Sequence, residues 1–235
     1  MELQEIMDFL KEKGSEQTRK IYKNHGCPDN FFGVKVGDLK VIQKKVKKNH
    51  NLAMQLYATQ NGDAMYLAGL ISDPEKMTKQ ELLNWADNAS WYMISEYAVA
   101  WTVAESNFAL ELSQEWISGD SNHHKCIGYA TLGSYIALTP DEELDINFYK
   151  NEVEKIGENI HDAENRVRYT MNGFVIAVGA YIKELYPLCK KIGEKIGKVE
   201  VSLGNTACKV PVIKPYLENI EAKGRLGKKR KSAKC

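Results

Sequence analysis

Apolar residues recur at helical spacing through almost the whole chain, whereas the period-two alternation typical of strands is nearly absent. Within residues 2–13, one stripe consists of Leu3, Ile6, Met7 and Leu10. A glycine and a serine then end this helix and cap the next one, as expected at a helix boundary. The pattern therefore predicts an all-α protein.

From residue 51 onward the predicted helices come in pairs divided by short polar turns. The pairs are residues 51–59 with 63–72, 78–88 with the helix after Ser90, 106–118 with 122–138, and 147–160 with 164–181. Their period of about 35 to 45 residues resembles that of HEAT-type repeats. We predict an α-α superhelix, or solenoid, of HEAT-like repeats over residues 1–222, with one irregular helical bundle as the alternative.

One late stretch, residues 199–211, lacks the helical period and is the only plausible extended segment. Its Gly204-Asn205-Thr206 turn has two interpretations. The backbone amides of the turn bind an anion, or the stretch is a plain connector before a helix at residues 213–222.

Charge is unevenly distributed, although the formal net charge of the 235 residues is only +1. Residues 223–235 carry seven basic residues and no acid, which leaves 25 basic and 31 acidic residues in the rest of the chain. Such a tail is either a phosphate-binding arm or a solvated end. Lysines also cover one face of the predicted helix that begins near Asp38, just after Lys35, and such a surface suits phosphates.

Several classes of protein are disfavoured by what the sequence lacks. There is no phosphate-binding loop, dinucleotide fingerprint, nucleophile elbow or zincin motif, and neither function considered below needs a cofactor.

The five cysteines have no Cys-x-x-Cys spacing, which fits free thiols in a reducing compartment. His123 and His124 lie near Cys126 without metal-site spacing, so no metal is expected. The acidic, amphipathic N-terminus predicts neither a signal peptide nor a membrane span, and we expect a cytoplasmic monomer.

Residues 88–101 form the segment with the strongest candidate chemistry. In a regular α-helix Tyr92 and Glu96 would share a face, one turn apart. Glu96 is the only acid between Asp87 and Glu105, so its carboxylate would lie in largely apolar surroundings. It is either a functional group or the buried half of an ion pair with a basic residue of a neighbouring helix.

A second candidate segment spans residues 165–179. If the apolar stripe faces the core, Arg166 and Tyr169 lie on one flank and Arg168 and Asn172 on another. Arginine beside an amide and an aromatic ring suits contacts to a phosphodiester or a base edge. The alternative is that these arginines pair with acids such as Glu96.

Three motifs, read together, resemble the AlkD-like DNA alkylation repair family, the HEAT-like alkylpurine DNA glycosylases. They are Phe32-Gly-Val-Lys-Val-Gly-Asp-Leu39, Asp63-Ala-Met-Tyr-Leu-Ala68 and Ser90-Trp-Tyr-Met-Ile-Ser-Glu96. The ending, from Gly204-Asn-Thr-Ala-Cys-Lys-Val-Pro211 to Gly227-Lys-Lys-Arg230, is similar to a distinct branch of that family.

The resemblance implies a helical solenoid that holds double-stranded DNA, alkylated or otherwise damaged, on a basic face. In active members a Trp and an Asp one turn apart line the cleft, where cleavage of the N-glycosidic bond develops positive charge on the deoxyribose. Tyr92 takes the Trp position and Glu96 the Asp position, which makes them the candidate catalytic residues. The position of the family's catalytic Arg falls near Lys125 or Cys126, and lysine keeps the charge without the bidentate fork.

Two functions therefore follow from the sequence. The first is a DNA glycosylase that removes cationic N3- or N7-alkylated purines, with Glu96 and Tyr92 in the catalytic site. Its predicted DNA contacts are Trp91, Lys35, Lys125, Arg166, Arg168, Tyr169 and Asn172. The second is a non-catalytic helical-repeat module that binds damaged or branched DNA, or a protein partner.

Overall fold

Helices account for nearly all of the structure, a computed structural model that describes residues 1–234. The α-helices are α1 (Leu3–Lys13), α2 (Glu16–Asn24), α3 (Val36–Val46), α4 (His50–Ala58), α5 (Gly62–Ile71), α6 (Lys79–Asp87), α7 (Ala100–Ala104), α8 (Ala109–Ser118), α9 (Asn122–Leu138), α10 (Ile146–Asn159), α11 (Asn165–Tyr181), α12 (Tyr186–Ile196) and α13 (Ile213–Ala222). A π-helical turn, Ile94–Val99, precedes α7, and short 3-10 helices lie at Pro74–Lys76, Asp141–Glu143, Ile160–Asp162 and Lys183–Leu185. No strand occurs within residues 1–234, and the all-α prediction is confirmed.

Local capping chemistry sets several helix starts where the sequence predicts them. At the start of α6 the Thr78 hydroxyl accepts the Glu81 N–H at 3.2 Å, and the Glu81 carboxylate accepts the Thr78 N–H at 2.8 Å. This reciprocal pair is a capping box. Helix α12 was not predicted, although its buried positions Tyr186, Cys189, Ile192 and Ile196 follow the helical period.

The described chain forms two compact units. Unit 1 contains Met1–Phe108, Leu203–Ala207 and Lys234, and unit 2 contains Ala109–Ser202 and Cys208–Ala233. The division into a domain at residues 1–222 and a tail at residues 223–235 stays a prediction, and Cys235 lies outside the described residues.

Unit 1 is built around α5, in which every residue is buried. A Cβ atom placed on Gly69 of this helix would lie 2.6 Å from the Cβ of Ala98, so only glycine permits this close approach to the π-helical turn. Nearby, Tyr57 and Trp85 stack with ring centroids 4.1 Å apart. Because it is buried throughout, α5 forms the centre of unit 1, and the Ile94–Val99 turn packs against it.

Unit 2 has its own core, in which α9 packs against both α8 and α11. Tyr129 of α9 and Tyr149 of α10 lie near Phe174 of α11, with ring centroids 5.6 and 6.4 Å from it. The Tyr129 hydroxyl donates to the Glu152 carboxylate at 2.7 Å, which supplies a hydrogen bond to a buried acid. This core fixes α11, the helix that carries the candidate arginines.

Thiol reactivity is expected to distinguish the cysteines. Burial raises the pKa of the Cys27 and Cys189 thiols to about 12, whereas Cys208 is exposed. Because the thiolate is the reactive form, iodoacetamide at neutral pH should alkylate Cys208 while the folded protein protects Cys27 and Cys189. Peptide mapping by mass spectrometry checks this for each cysteine, and equal labelling of all three would contradict the burial.

Candidate nucleic-acid interface

The first two motifs of the resemblance are joined by one buried carboxylate. Asp63, 3% exposed, accepts the backbone N–H groups of Phe32, Gly33 and Val34 at 2.6, 3.0 and 2.9 Å. Burial raises the pKa of Asp63, while these three hydrogen bonds oppose that rise. Asp63 therefore fixes the loop before α3. The exposed Lys35 follows this loop directly, so its backbone position is fixed as well.

The third motif does not form the regular α-helix that was predicted. Ile94–Val99 is π-helical, with i→i+5 hydrogen bonds, so a residue four positions after Tyr92 falls short of a full turn. Tyr92 is half-buried, whereas Glu96 is only 7% exposed. The predicted regular α-helix is therefore replaced here by a π-helical turn, and a shared site of Tyr92 and Glu96 stays a prediction.

Trp91 belongs to the core of unit 1. It is 8% exposed, its indole N–H donates to the carbonyl of His25 at 2.9 Å, and its ring lies 5.2 Å from that of Tyr22. The ring is thus held by the protein and is not presented for stacking on a base. The half-buried Tyr92, 5.3 Å from Trp91, is better placed for such a contact.

Tyr97 is a further aromatic residue of this segment, at a position that a regular helix would turn toward the core. In the π-helical turn it is half-buried and stands 6.4 Å from Tyr92 and 5.4 Å from Trp101, measured between ring centroids. Nothing in the sequence pattern identifies it, because a regular helical period assigns it to the core. The structure places Tyr92 and Tyr97 together as neighbouring, partly accessible rings.

Helix α11 presents the predicted arginines in two different environments. The Arg166 guanidinium lies over the Tyr169 ring, 4.2 Å from its centroid, and both side chains are half-buried. This is a cation–π arrangement. Arg168 is also half-buried, and its Nε atom has no hydrogen-bond partner within residues 1–234.

The amides of α11 hold the connector that follows α12. Asn172 is 1% exposed and donates from Nδ2 to the carbonyl of Pro211 at 3.0 Å. Asn165 donates to the Ser202 carbonyl at 3.0 Å and accepts the Ser202 N–H at 2.7 Å. The side chain of Asn172 is therefore buried and bound to the connector, whereas the predicted DNA contact requires an exposed side chain.

The two remaining predictions for this region concern Lys125 and the Gly204 turn. Lys125 of α9 is half-buried, while Cys126, its alternative, is 5% exposed. In the turn, Gly204 has φ +73° and a Cβ there would lie 2.2 Å from the carbonyl oxygen of Asn24. The Asn205 N–H donates to that same oxygen at 3.2 Å, so the structure supports the connector interpretation of the turn.

The basic tail packs against the protein. Within unit 2 the N–H of Gly227 donates to Ala180 at 2.8 Å and that of Arg230 donates to Ala137 at 2.7 Å. The Lys229 ammonium donates to the carbonyl of Ile136 at 3.0 Å and lies 2.7 Å from the Asp141 carboxylate. A cation on the last carbonyls of α9 is favourable, because those carbonyls have no partner within the helix.

Lys234, the last described residue, likewise places its ammonium on carbonyl groups at the end of a helix, here in unit 1. The Lys234 ammonium donates to the carbonyls of Leu70 and Ser72 at 3.4 and 3.1 Å, at the C-terminal end of α5. Burial lowers the pKa of Lys234 to about 8. Two of the seven basic residues thus cap helices, which ties the tail to the protein at these two points.

Other kinds of site receive no support from the described residues. Within residues 1–234 no cluster of His, Cys, Asp and Glu has the makings of a metal site. None of the helices in this range is both long and apolar enough to cross a membrane.

Comparison with solved structures assigns the class of fold. The chain matches, at a TM-score of 0.91 and 33% identity over 100% of both chains, a structure described as "A new family of proteins related to the HEAT-like repeat DNA glycosylases with affinity for branched DNA structures". The predicted class of HEAT-like helical repeats is confirmed.

Sequence comparison then gives the family. Residues 6–186 match the family model of the DNA alkylation repair enzyme, and the chain belongs to that family. It is also 36% and 35% identical, over 207 residues, to uncharacterized proteins of Listeria monocytogenes and Listeria innocua. Each alignment covers 86% of this chain and 89% of the relative.

Proposed function

We propose that the protein binds branched DNA and does not excise alkylated bases. The observation that carries this proposal is the burial of Glu96, which is only 7% exposed. A carboxylate that stabilises the positive charge of glycosidic cleavage has to reach the deoxyribose of a bound nucleotide. In this chain the carboxylate is withdrawn into unit 1, and the neighbouring Trp91 is fixed by its hydrogen bond to His25.

Branched DNA is the proposed ligand because the solved relative is described as having affinity for such structures, and the two chains match over their whole length. The double-stranded arms of a junction offer phosphates to basic side chains. Those proposed here are the exposed Lys35 and the half-buried Lys125, Arg166 and Arg168. Tyr169 supports Arg166 through their ring contact, and Tyr92 is the proposed ring for an unstacked base.

A glycosylase is the second candidate, and one observation favours it. Glu96 lies within a π-helical turn and Tyr92 lies just before it, and such turns are frequent at functional sites. Because the family includes enzymes of alkylation repair, base release has to be measured directly.

The catalytic test uses DNA treated with a methylating agent. We expect the wild-type protein to release no more methylated purine than a protein-free control. Release that is lost in Glu96→Gln, while the variant melts like the wild type, would overturn the proposal and establish Glu96 as catalytic. A known alkylpurine glycosylase serves as the positive control for the substrate.

The binding test compares a four-way junction with a linear duplex of the same sequence. We expect the protein to prefer the junction, and Lys35→Ala combined with Lys125→Ala to weaken junction binding about tenfold and to reduce the salt slope by about 1.8. Lys150→Ala combined with Lys191→Ala removes the same charge from exposed positions of α10 and α12 and serves as the matched control. Equal losses in both double variants would show that only net charge matters.

A further inference from the structure

A cleft of about 470 Å³ lies in unit 2 between the end of α11, helix α13 and the tail. It combines four cations with two aromatic rings. These residues are Lys223, Arg225, Lys228, Arg230, Tyr181 and Tyr216. Ala180 and Ile220 complete its lining with apolar surface, and the volume is in the range of small-ligand sites.

Backbone contacts of the tail build the basic wall of this cleft. The N–H of Gly227 is held on Ala180 and that of Arg230 on Ala137, so the segment between them has a fixed course. Lys229 contacts Ile136 and Asp141, while Lys228 and Arg230, on either side of it, line the cleft.

Three acids near these elements contact residues outside the lining of the cleft. Glu221 of α13 accepts a hydrogen bond from Tyr186, Glu218 pairs with Lys190 at 3.4 Å, and Asp141 pairs with Lys229 at 2.7 Å. None of the described residues that line the cleft is acidic. Lys223, Arg225 and Lys228 lie around one small volume, and an anion bound there relieves the repulsion between these like charges.

The two tyrosines narrow the choice of anion. Tyr216 of α13 is 46% exposed, and Tyr181 is half-buried at the end of α11. Aromatic rings beside lysines and arginines bind nucleotides, with a base on the ring and phosphate on the cations. Inorganic phosphate would use the cations and leave the rings without a role.

We propose that this cleft binds an unpaired nucleotide of single-stranded DNA, with its base on Tyr216 or Tyr181 and its phosphates on Lys223, Arg225, Lys228 and Arg230. The site is independent of the proposed junction binding, because it recognises nucleotides and not a branch point. A free nucleotide has the same chemistry and is distinguished in the test below.

The test measures binding of the full-length protein to a fluorescent oligothymidylate of about ten nucleotides by anisotropy. Lys223→Ala combined with Lys228→Ala should weaken binding at least about tenfold and reduce the salt slope by about 1.4. Tyr216→Ala should weaken it by about tenfold through lost stacking. All three positions are exposed, so the variants should melt like the wild type.

Three controls make the result decisive. Lys150→Ala combined with Lys191→Ala removes equal charge outside the cleft and should leave binding within about twofold of wild type. An abasic strand of equal length should bind at least about tenfold more weakly, since it has nothing to stack. Thymidine triphosphate should compete only at far higher concentration than the strand. Equal binding of abasic and normal strands, or equal loss in both lysine pairs, would overturn the proposal, and stronger competition by the triphosphate would assign the cleft to a free nucleotide.

Discussion

Replacing Asp63 with alanine is expected to lower the free energy of unfolding by about 3–5 kcal/mol. The reason is that three backbone N–H groups, of Phe32, Gly33 and Val34, donate to this one carboxylate. Alanine leaves these donors without a partner, in a region where Gly33 and Val34 are buried and water cannot replace it. Thermal unfolding followed by circular dichroism should show a melting temperature lower by about 10 °C.

The matched control for this change is Asp29→Ala. Asp29 lies in the same region of unit 1 and pairs with Lys23, but its side chain is 88% exposed. Loss of an exposed ion pair should cost less than about 1 kcal/mol. If Asp63→Ala melts like Asp29→Ala, the buried carboxylate does not hold the loop, and the position of Lys35 needs another explanation.

Ending the chain at Ala222 is expected to lower the free energy of unfolding by about 3 kcal/mol and the melting temperature by about 6–12 °C. The deletion removes the backbone hydrogen bonds of Gly227 and Arg230 and the Lys229 contacts at the end of α9. It also removes Ala233, which is fully buried. Differential scanning calorimetry of the shortened and complete chains measures the loss.

A second variant separates this packing from any role in binding phosphate. Lys223→Gln, Lys228→Gln and Lys231→Gln together remove three exposed charges while Lys229 and Lys234 keep their carbonyl contacts. This variant should melt within about 2 °C of the wild type, since exposed substitutions change stability little. A large loss of stability in it, or none in the shortened chain, would contradict the capping role of the tail lysines.

The position of Glu96 shows where reasoning from the sequence reaches its limit. Isolation of this acid in an apolar segment correctly indicated burial. The segment was predicted as a regular α-helix, whereas it contains a π-helical turn, which differs from an α-helical one by a single hydrogen-bond register. Sequence periodicity does not show this register, and the turn packs on α5, where Ala98 closely approaches Gly69.

The predicted DNA-contact residues of α11 differ in how far the sequence determined their surroundings. Arg166 and Tyr169 were placed together on one flank of α11, and the helical period alone is enough to bring them into contact. The environment of Asn172 was not foreseeable, since the Pro211 carbonyl that it binds comes from a connector distant in sequence. Polar residues on a helix flank look alike in sequence whether their partner is solvent or another backbone segment.

The sequence by itself determined the helical class, the pairing of helices and the family, because these depend on periodicity, capping residues and local motifs. Tertiary structure decided that Asp63 joins two of those motifs and that tail lysines cap α5 and α9. It also decided that four tail cations and two tyrosines enclose one cleft. These features join residues far apart in the chain, and only the folded backbone brings such groups within hydrogen-bonding distance.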